Sequence, residues 1–225
     1  PPDMVAWLEQ GEAGRRAVDS TLAYLGSRAD DLELKAPDGR RAVYARGEVR
    51  LLAPVPRPPS LRDAGGFISH MRKTLGADPK GRQVMELLEV NPLYVTYAPT
   101  SVAGTDIDVL WPNYSDVLDY ELEIAAVIGR EGRNIPENRA SAYIAGYTIY
   151  NDVSARDYQF IEMTAPFGAG KGKSWDGGNL LGPYLVTADE FNPDDDHAMV
   201  ARVNGVEWSR GLTSAMDHKF AKILN

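Results

Sequence analysis

Two glutamates in the stretch DYELEIAAVIG, Glu121 and Glu123, and an aspartate with an arginine and a glutamine behind it, Asp152, Arg156 and Gln159 in NDVSARDYQ, could do chemistry by type and spacing. Side chains alternate along an extended strand, so Glu121 and Glu123 leave one face roughly 7 Å apart. Carboxylates held close together repel unless a cation stands between them or one is protonated. With oxygen donors, no cysteine and only three histidines in the chain, the fitting cation is a hard divalent ion, Mg2+, Mn2+ or Ca2+, rather than zinc. Asp152 closes the apolar segment AYIAGYTIYND, and Arg156 and Gln159 follow at i+4 and i+7, one face of a short helix starting there. On spacing alone a Glu-x-Glu pair is also an ordinary solvated strand face, with Leu122, Ile124, Ala126 and Ile128 turned to the core. Arg156 is equally an ion-pair partner for Asp152.

The elements that must position these groups are legible in outline. A chain of 225 residues, 44% hydrophobic, suits one main globular domain with a small appendage. Met4 to Gly26 reads as two helical pieces broken near Gly11 to Gly14, and the segment around Asp38-Gly39 as a small lid-like β-hairpin. Pro54, Pro56, Pro58 and Pro59 form a stiff extended connector and mark a boundary between residues 1–57 and 58–225. The segment LYVTYAPTSVAG reads as strand and turn, Asp106 to Val117 as irregular, and Tyr120 to Ile128 as the acidic strand. LLGPYLVT and AMVARVNGVEWSRG are strand-like, the second turning at Asn204-Gly205, and DHKFAKILN is helical.

Composition narrows the partners. A formal net charge of -8 argues against nucleic acid or a membrane surface and for a small molecule. No apolar run approaches the roughly 20 residues that span a bilayer, and Pro1-Pro2 begins no signal peptide, so a soluble, cytoplasmic protein is expected.

Two further groups stand out. Asp63 and His70 in RDAGGFISH are seven residues apart, and Gly65-Gly66 between them favours a loop leading into a helix at Phe67. Lys173 lies in GAGKGKS, which imitates a phosphate-binding loop. Phe167 occupies the place of that motif's first glycine, and SWDGGN rather than a helix follows, so nucleotide binding is not expected. His197 and His218 attract no role, and Tyr143, Tyr147 and Tyr150 read as sheet aromatics.

The stretches ELEIAAVIG and NDVSARD resemble two motifs of the fumarylacetoacetate hydrolase superfamily, a Glu-x-Glu strand running into a Val-Ile-Gly turn and an Asn-Asp-x-Ser-Ala-Arg-Asp segment. RDAGGFISH is similar to the family's Asp-to-His element, and KGKSWDGGNLLGPYLVT to its lysine loop before a Gly-Pro strand; the resemblance runs from about Pro59 to Gly211. It implies an α+β fold, a mixed β-rich sandwich or roll with a small N-terminal α/β appendage, and a homodimer. It also implies metal ligation by Glu121, Glu123 and Asp152 with Asp63 as a fourth ligand, a catalytic base in His70, Lys173 beside metal and substrate, and substrate contacts from Arg156 and Gln159. The family's later Gly-Asp strand and Gly-Thr turn have no counterpart before Asn225, so the C-terminal strands, and with them a carboxylate partner for His70, are expected to be missing from this sequence.

The activity so implied is hydrolysis of a carbon-carbon bond in a 2-oxo acid or 1,3-diketone, acylpyruvate or fumarylacetoacetate in type, through a metal-bound enolate. The same site would serve decarboxylation, isomerisation or sugar-acid dehydration, and His70 tilts the choice to hydrolysis. The alternative of another class is a noncatalytic module that binds metal and oxo acid. Ala77 to Val90 and Ile161 to Gly170 are the loops from which specificity is expected.

Overall fold

The computed structural model describes residues 3–26, 28, 30–75, 79–165 and 168–225. Ala77, Asp78, Pro166 and Phe167, in the expected specificity loops, lie outside the described residues. The chain opens with helices α1 (Met4–Glu9) and α2 (Gly11–Leu25), two pieces as the glycine spacing suggests. The Asp38-Gly39 turn forms, with the Arg40 amide donating to Asp38, but only the bridge Lys35↔Arg41 is made around it. The residues around that turn are largely exposed and add to no larger sheet, which leaves a lone hairpin marginal. The proline-rich connector does not run through solvent. Ala53 and Val55 are buried, and Ala53 belongs to the core.

Strand β1 (Leu61–Ala64) pairs antiparallel with β2 (Tyr94–Tyr97), so Asp63 stands on a strand where a loop was expected. Between them lie α3 (Ile68–Leu75) and α4 (Pro79–Val90), joined by the apolar contacts of Ile68, Met85 and Leu88. Most of the expected loop Ala77 to Val90 is therefore helix.

The central sheet has five strands: β3 (Val102–Ala103), β5 (Leu122–Ile128), β6 (Ile144–Asp152), β8 (Asn179–Leu181) and β9 (Val186–Thr187). Its order is β3-β8-β6-β5 with β9 also on β6, and only the β3–β8 pair is parallel. The short strands β4 (Leu118–Asp119) and β7 (Ser154–Ala155) pair beside it. Helix α5 (Arg156–Met163) begins directly after β7, and α6 (Gly170–Lys173) packs on α5. A hairpin of β10 (Ala198–Val203) and β11 (Val206–Leu212) turns at Asn204-Gly205, and α7 (Phe220–Leu224) ends the chain given. Helices and sheets are mixed, and no closed barrel forms among the described residues.

The solvated-face alternative for β5 does not hold. Ala125, on the face of Glu123, packs on the core of Ala53, Tyr150 and Leu181. On the opposite face, Ile128 is exposed, and Ile149, the cross-strand partner of Ile124, is 61% exposed. The acidic face is the inner one. Burial of this face depends on a segment some 70 residues upstream, which strand periodicity cannot report.

β6 is the spine, paired with β5 on one side and with β8 and β9 on the other. Gly146 permits this: a Cβ there would lie 2.2 Å from the Val186 carbonyl oxygen. Gly146→Ala is expected to push β9 off β6 and to destabilise the protein by about 1–3 kcal/mol, read from a denaturant midpoint. An unchanged midpoint would contradict this packing.

Candidate metal centre

Three carboxylates meet at the inner face of the sheet: Asp63 from β1, Glu123 from β5 and Asp152 from the last residue of β6. One oxygen of each lies within 4.8 Å of the other two. Oxygens on opposite sides of a bound ion are two bond lengths apart, about 4.0–5.2 Å from magnesium to calcium. A single hard ion can therefore touch all three. Two observations fit that ion. Asp152 Oδ1 is buried without a hydrogen-bond partner among the described residues. The Glu123 carboxylate, partly buried, has neither a hydrogen bond nor an ion pair among them.

Lys173 is 1% exposed, and its ammonium donates to Asp152 Oδ2 at 2.7 Å and pairs with Glu121 Oε2 at 2.8 Å. The sequence around it explains how a charged side chain is carried inward. Glu162 of α5 accepts from the Lys171 and Gly172 amides at 2.7 and 2.8 Å and so fixes the start of α6. Gly172 lets the two helices touch, since a Cβ there would be 2.7 Å from the Gln159 nitrogen. Asn179 donates to the Lys173 carbonyl at 2.8 Å and to Ser101 Oγ at 2.6 Å, and accepts from the Tyr150 hydroxyl. Asn179, Ser101 and Tyr150 are all buried.

The remaining expected residues fall around this group. Glu121 precedes β5 and is not one of the three clustered carboxylates; it is held by Lys173 and by Arg156 Nη1. Arg156 is not an ion-pair partner of Asp152. Its guanidinium is spent on Asp119, at 2.9 Å from Nε and 2.7 Å from Nη2, on Glu121, and on Gln159 Oε1 at 2.9 Å. The pairing of β4 with β7 sets this up, with Asp119 opposite Ser154. His70 stands exposed on α3, and no hydrogen bond or ion pair joins it to the carboxylates among the described residues. One residue was missed altogether: Tyr97, 4% exposed, donates its hydroxyl to Asp63 Oδ2 at 3.0 Å. Its alternation with Val95 in YVTY was the available signal. His218, given no role, is buried and bonds the Leu88 carbonyl between the helices.

Charge is unevenly shared. Burial pushes Glu123 well above the ordinary carboxylate range, and Asp63, Asp152 and Glu121 push it further. Burial lifts Asp152 to about 7 against the pull of Lys173, and lifts Asp63 against Lys173 and the Tyr97 hydrogen bond. Burial would raise Glu121 too, but Lys173 and Arg156 outweigh it and bring it down to about 2. Burial alone would lower Lys173, yet Asp152 and Glu121 keep its ammonium above the usual lysine value. Raised carboxylates stabilise a metal-free fold fully below their unfolded values, and that contribution fades as pH rises through the folded ones. Glu121 acts oppositely, contributing above its unfolded value and losing this as pH falls toward about 2. With a chelator present, the thermal midpoint should fall between about pH 5 and pH 8, and added Mn2+ should lift it most at the upper end. A chelated protein that gains stability over this range would contradict the assignment.

Residues 64–225 match the family model described as Fumarylacetoacetate (FAA) hydrolase C-terminal. The oxaloacetate tautomerase FAHD2A, mitochondrial, of Homo sapiens is 31% identical over 220 residues, covering 97% of this chain and 62% of that protein. The 5-carboxymethyl-2-hydroxymuconate delta-isomerase structure from Mycobacterium smegmatis matches 82% of this chain and 64% of its own, at 30% identity and a TM-score of 0.65. The fumarylacetoacetate hydrolase of Exiguobacterium antarcticum matches 89% of this chain and 71% of its own, at 30% identity and a TM-score of 0.63. The chain thus spans less than two thirds of the tautomerase's length, and no helix among its described residues is long and apolar enough to cross a membrane. With that family match over most of its length and the fold shared with solved members, this chain belongs to the fumarylacetoacetate hydrolase family.

Proposed function

We propose that this protein catalyses a divalent-metal-dependent isomerisation of a small 2-oxo acid, a keto–enol tautomerisation of the oxaloacetate type. The observation that carries the reading is a buried Lys173 ammonium fixed against Asp152 at the edge of the Asp63–Glu123–Asp152 group while His70 stands exposed with no bond to that group among the described residues. Asp63, Glu123 and Asp152 would hold the ion, Mg2+ or Mn2+ by donor type, and the ion would supply Lewis-acid polarisation of the oxo-acid carbonyl. Lys173 stays protonated because Glu121 and Asp152 hold it so. It is therefore a donor to an oxygen on which negative charge grows, and not a base. A donor fixed before reaction needs no reorganisation as that charge develops. Arg156, bonded to Glu121 and to Gln159, orients Glu121 and through it Lys173, and Gln159 acts by steadying Arg156.

The names of two relatives, a tautomerase and an isomerase, support the same class. Carbon-carbon hydrolysis stands second. Both reactions need a proton acceptor. In tautomerisation the proton leaving C3 can pass to solvent water while the enolate oxygen is protonated in turn, whereas hydrolysis also needs a fixed base to activate the attacking water. His70, expected in that role, is exposed and makes no hydrogen bond or ion pair with the carboxylates among the described residues.

With Mn2+ or Mg2+ supplied, enol formation from oxaloacetate followed by ultraviolet absorbance should be accelerated. Lys173→Met should lower kcat by about 100-fold or more, the usual loss for one fixed donor, whereas His70→Ala should leave it within a few-fold. No acceleration by the wild type, or loss with His70→Ala and not with Lys173→Met, would remove this reading in favour of hydrolysis or simple binding.

A further inference from the structure

We propose that Tyr97 is a positioning residue for the metal centre: its hydroxyl holds the Asp63 carboxylate within the ligand group and thereby sets the affinity for the cation. The inference rests on the metal reading above. Of the three clustered acids, Asp152 is held by Lys173, and Glu123 rides on the long β5–β6 pair. Asp63 is different. It comes from β1, which is four residues long and pairs only with β2, outside the five-stranded sheet. Nothing in that sheet's register dictates where its carboxylate lies.

The β1–β2 register supplies the missing constraint. Leu61 is opposite Tyr97 and Asp63 opposite Val95, so Tyr97 and Asp63 share a face on the diagonal. Diagonal neighbours are about 7–8 Å apart at the backbone, a gap that an aromatic side chain spans. The phenol reaches Asp63 Oδ2 at 3.0 Å. The far end of β2 is itself tied to the centre, because the Ala98 amide donates to Ser174 Oγ at 3.1 Å, beside Lys173. The residue after Tyr97 thus joins the small sheet to the same loop that carries the lysine.

The donor is also of a suitable kind. A lysine or arginine at this place would orient Asp63 but offset its charge, as Lys173 does for Asp152. A neutral hydroxyl restrains one carboxylate oxygen and leaves the full negative charge for a cation. Hydrogen-bond partners that orient metal ligands are typically worth about 10–100-fold in metal affinity.

The test is Mn2+ binding measured by titration calorimetry on wild type, Tyr97→Phe, Asp63→Asn and the double variant, with metal-free thermal melts confirming folding. Tyr97→Phe removes one oxygen and keeps the ring. It should weaken Mn2+ binding by about 10-fold or more while melting close to wild type without metal. In the Asp63→Asn background the same change should have almost no further effect, since Tyr97 acts through Asp63. Wild-type affinity in Tyr97→Phe, with binding weakened in Asp63→Asn, overturns this inference and leaves the metal reading standing. A loss that adds in full to that of Asp63→Asn also overturns it. Absence of Mn2+ binding by the wild type overturns the metal reading and this inference together.

Discussion

Lys173 and the negative charge around it set the terms for the rest of the molecule. Four carboxylates, Asp63, Glu121, Glu123 and Asp152, gather around a single buried ammonium, with Arg156 on the outer side shared between Glu121 and Asp119. Moving an ion out of water costs several kcal/mol even after relaxation, and attraction repays this only where the remaining lone pairs and protons are also met. The ammonium meets two carboxylate oxygens, one from Asp152 and one from Glu121. The acids are not all met in this way, since Asp152 Oδ1 is left without a donor among the described residues. Negative charge in excess of the local cations must be neutralised, by protonation or by a divalent ion.

The fold distributes this burden between rigid and adjustable parts. The acids Glu123 and Asp152 sit on the longest antiparallel pair, where register leaves little freedom. The cations come from α5 and α6, two short helices clamped by the Glu162 carboxylate and by the close approach at Gly172. Behind Lys173, Tyr150, Asn179 and Ser101 form a buried network of neutral hydrogen bonds that adds no charge to the site. A fully satisfied network of this kind stiffens its surroundings, whereas a half-satisfied one would be costly. Asp63 enters from a separate two-stranded sheet, and α3 with His70 follows it within five residues. Groups nearest the sheet are thus the most fixed, and His70 is the most exposed of the candidate residues.

That gradient bears on the variety of reactions named among the relatives, which include a tautomerase, an isomerase and a hydrolase. A buried acid cluster with a fixed ammonium suits any of them, because each reaction must stabilise charge on a carbonyl oxygen. Differences in net reaction fit better in the exposed segments around such a centre, where a side chain can change without stranding a buried charge.

Local rules made part of this structure legible in the residues. Alternation put Glu121 and Glu123 on one face, Asp152 at a strand end led into the helix of Arg156 and Gln159, and Asn204-Gly205 marked a hairpin turn. Each of these depends on neighbours a few residues away. Local pattern fell short where burial was decided from a distance. The acidic face of β5, which spacing alone left open, is the inner one because Ala125 packs on the core formed by Ala53, Tyr150 and Leu181. Arg156 was drawn to Asp119 and Glu121 by the pairing of β4 with β7, and Tyr97 gained its partner only from the register of β1 with β2. The sequence by itself determined which residues could share a face or cap an element, because strand and helix periodicities are short. Which carboxylates meet, which is paired and which is left for a cation was decided only by tertiary structure, since those contacts join segments roughly 30 to 90 residues apart and no short period encodes them.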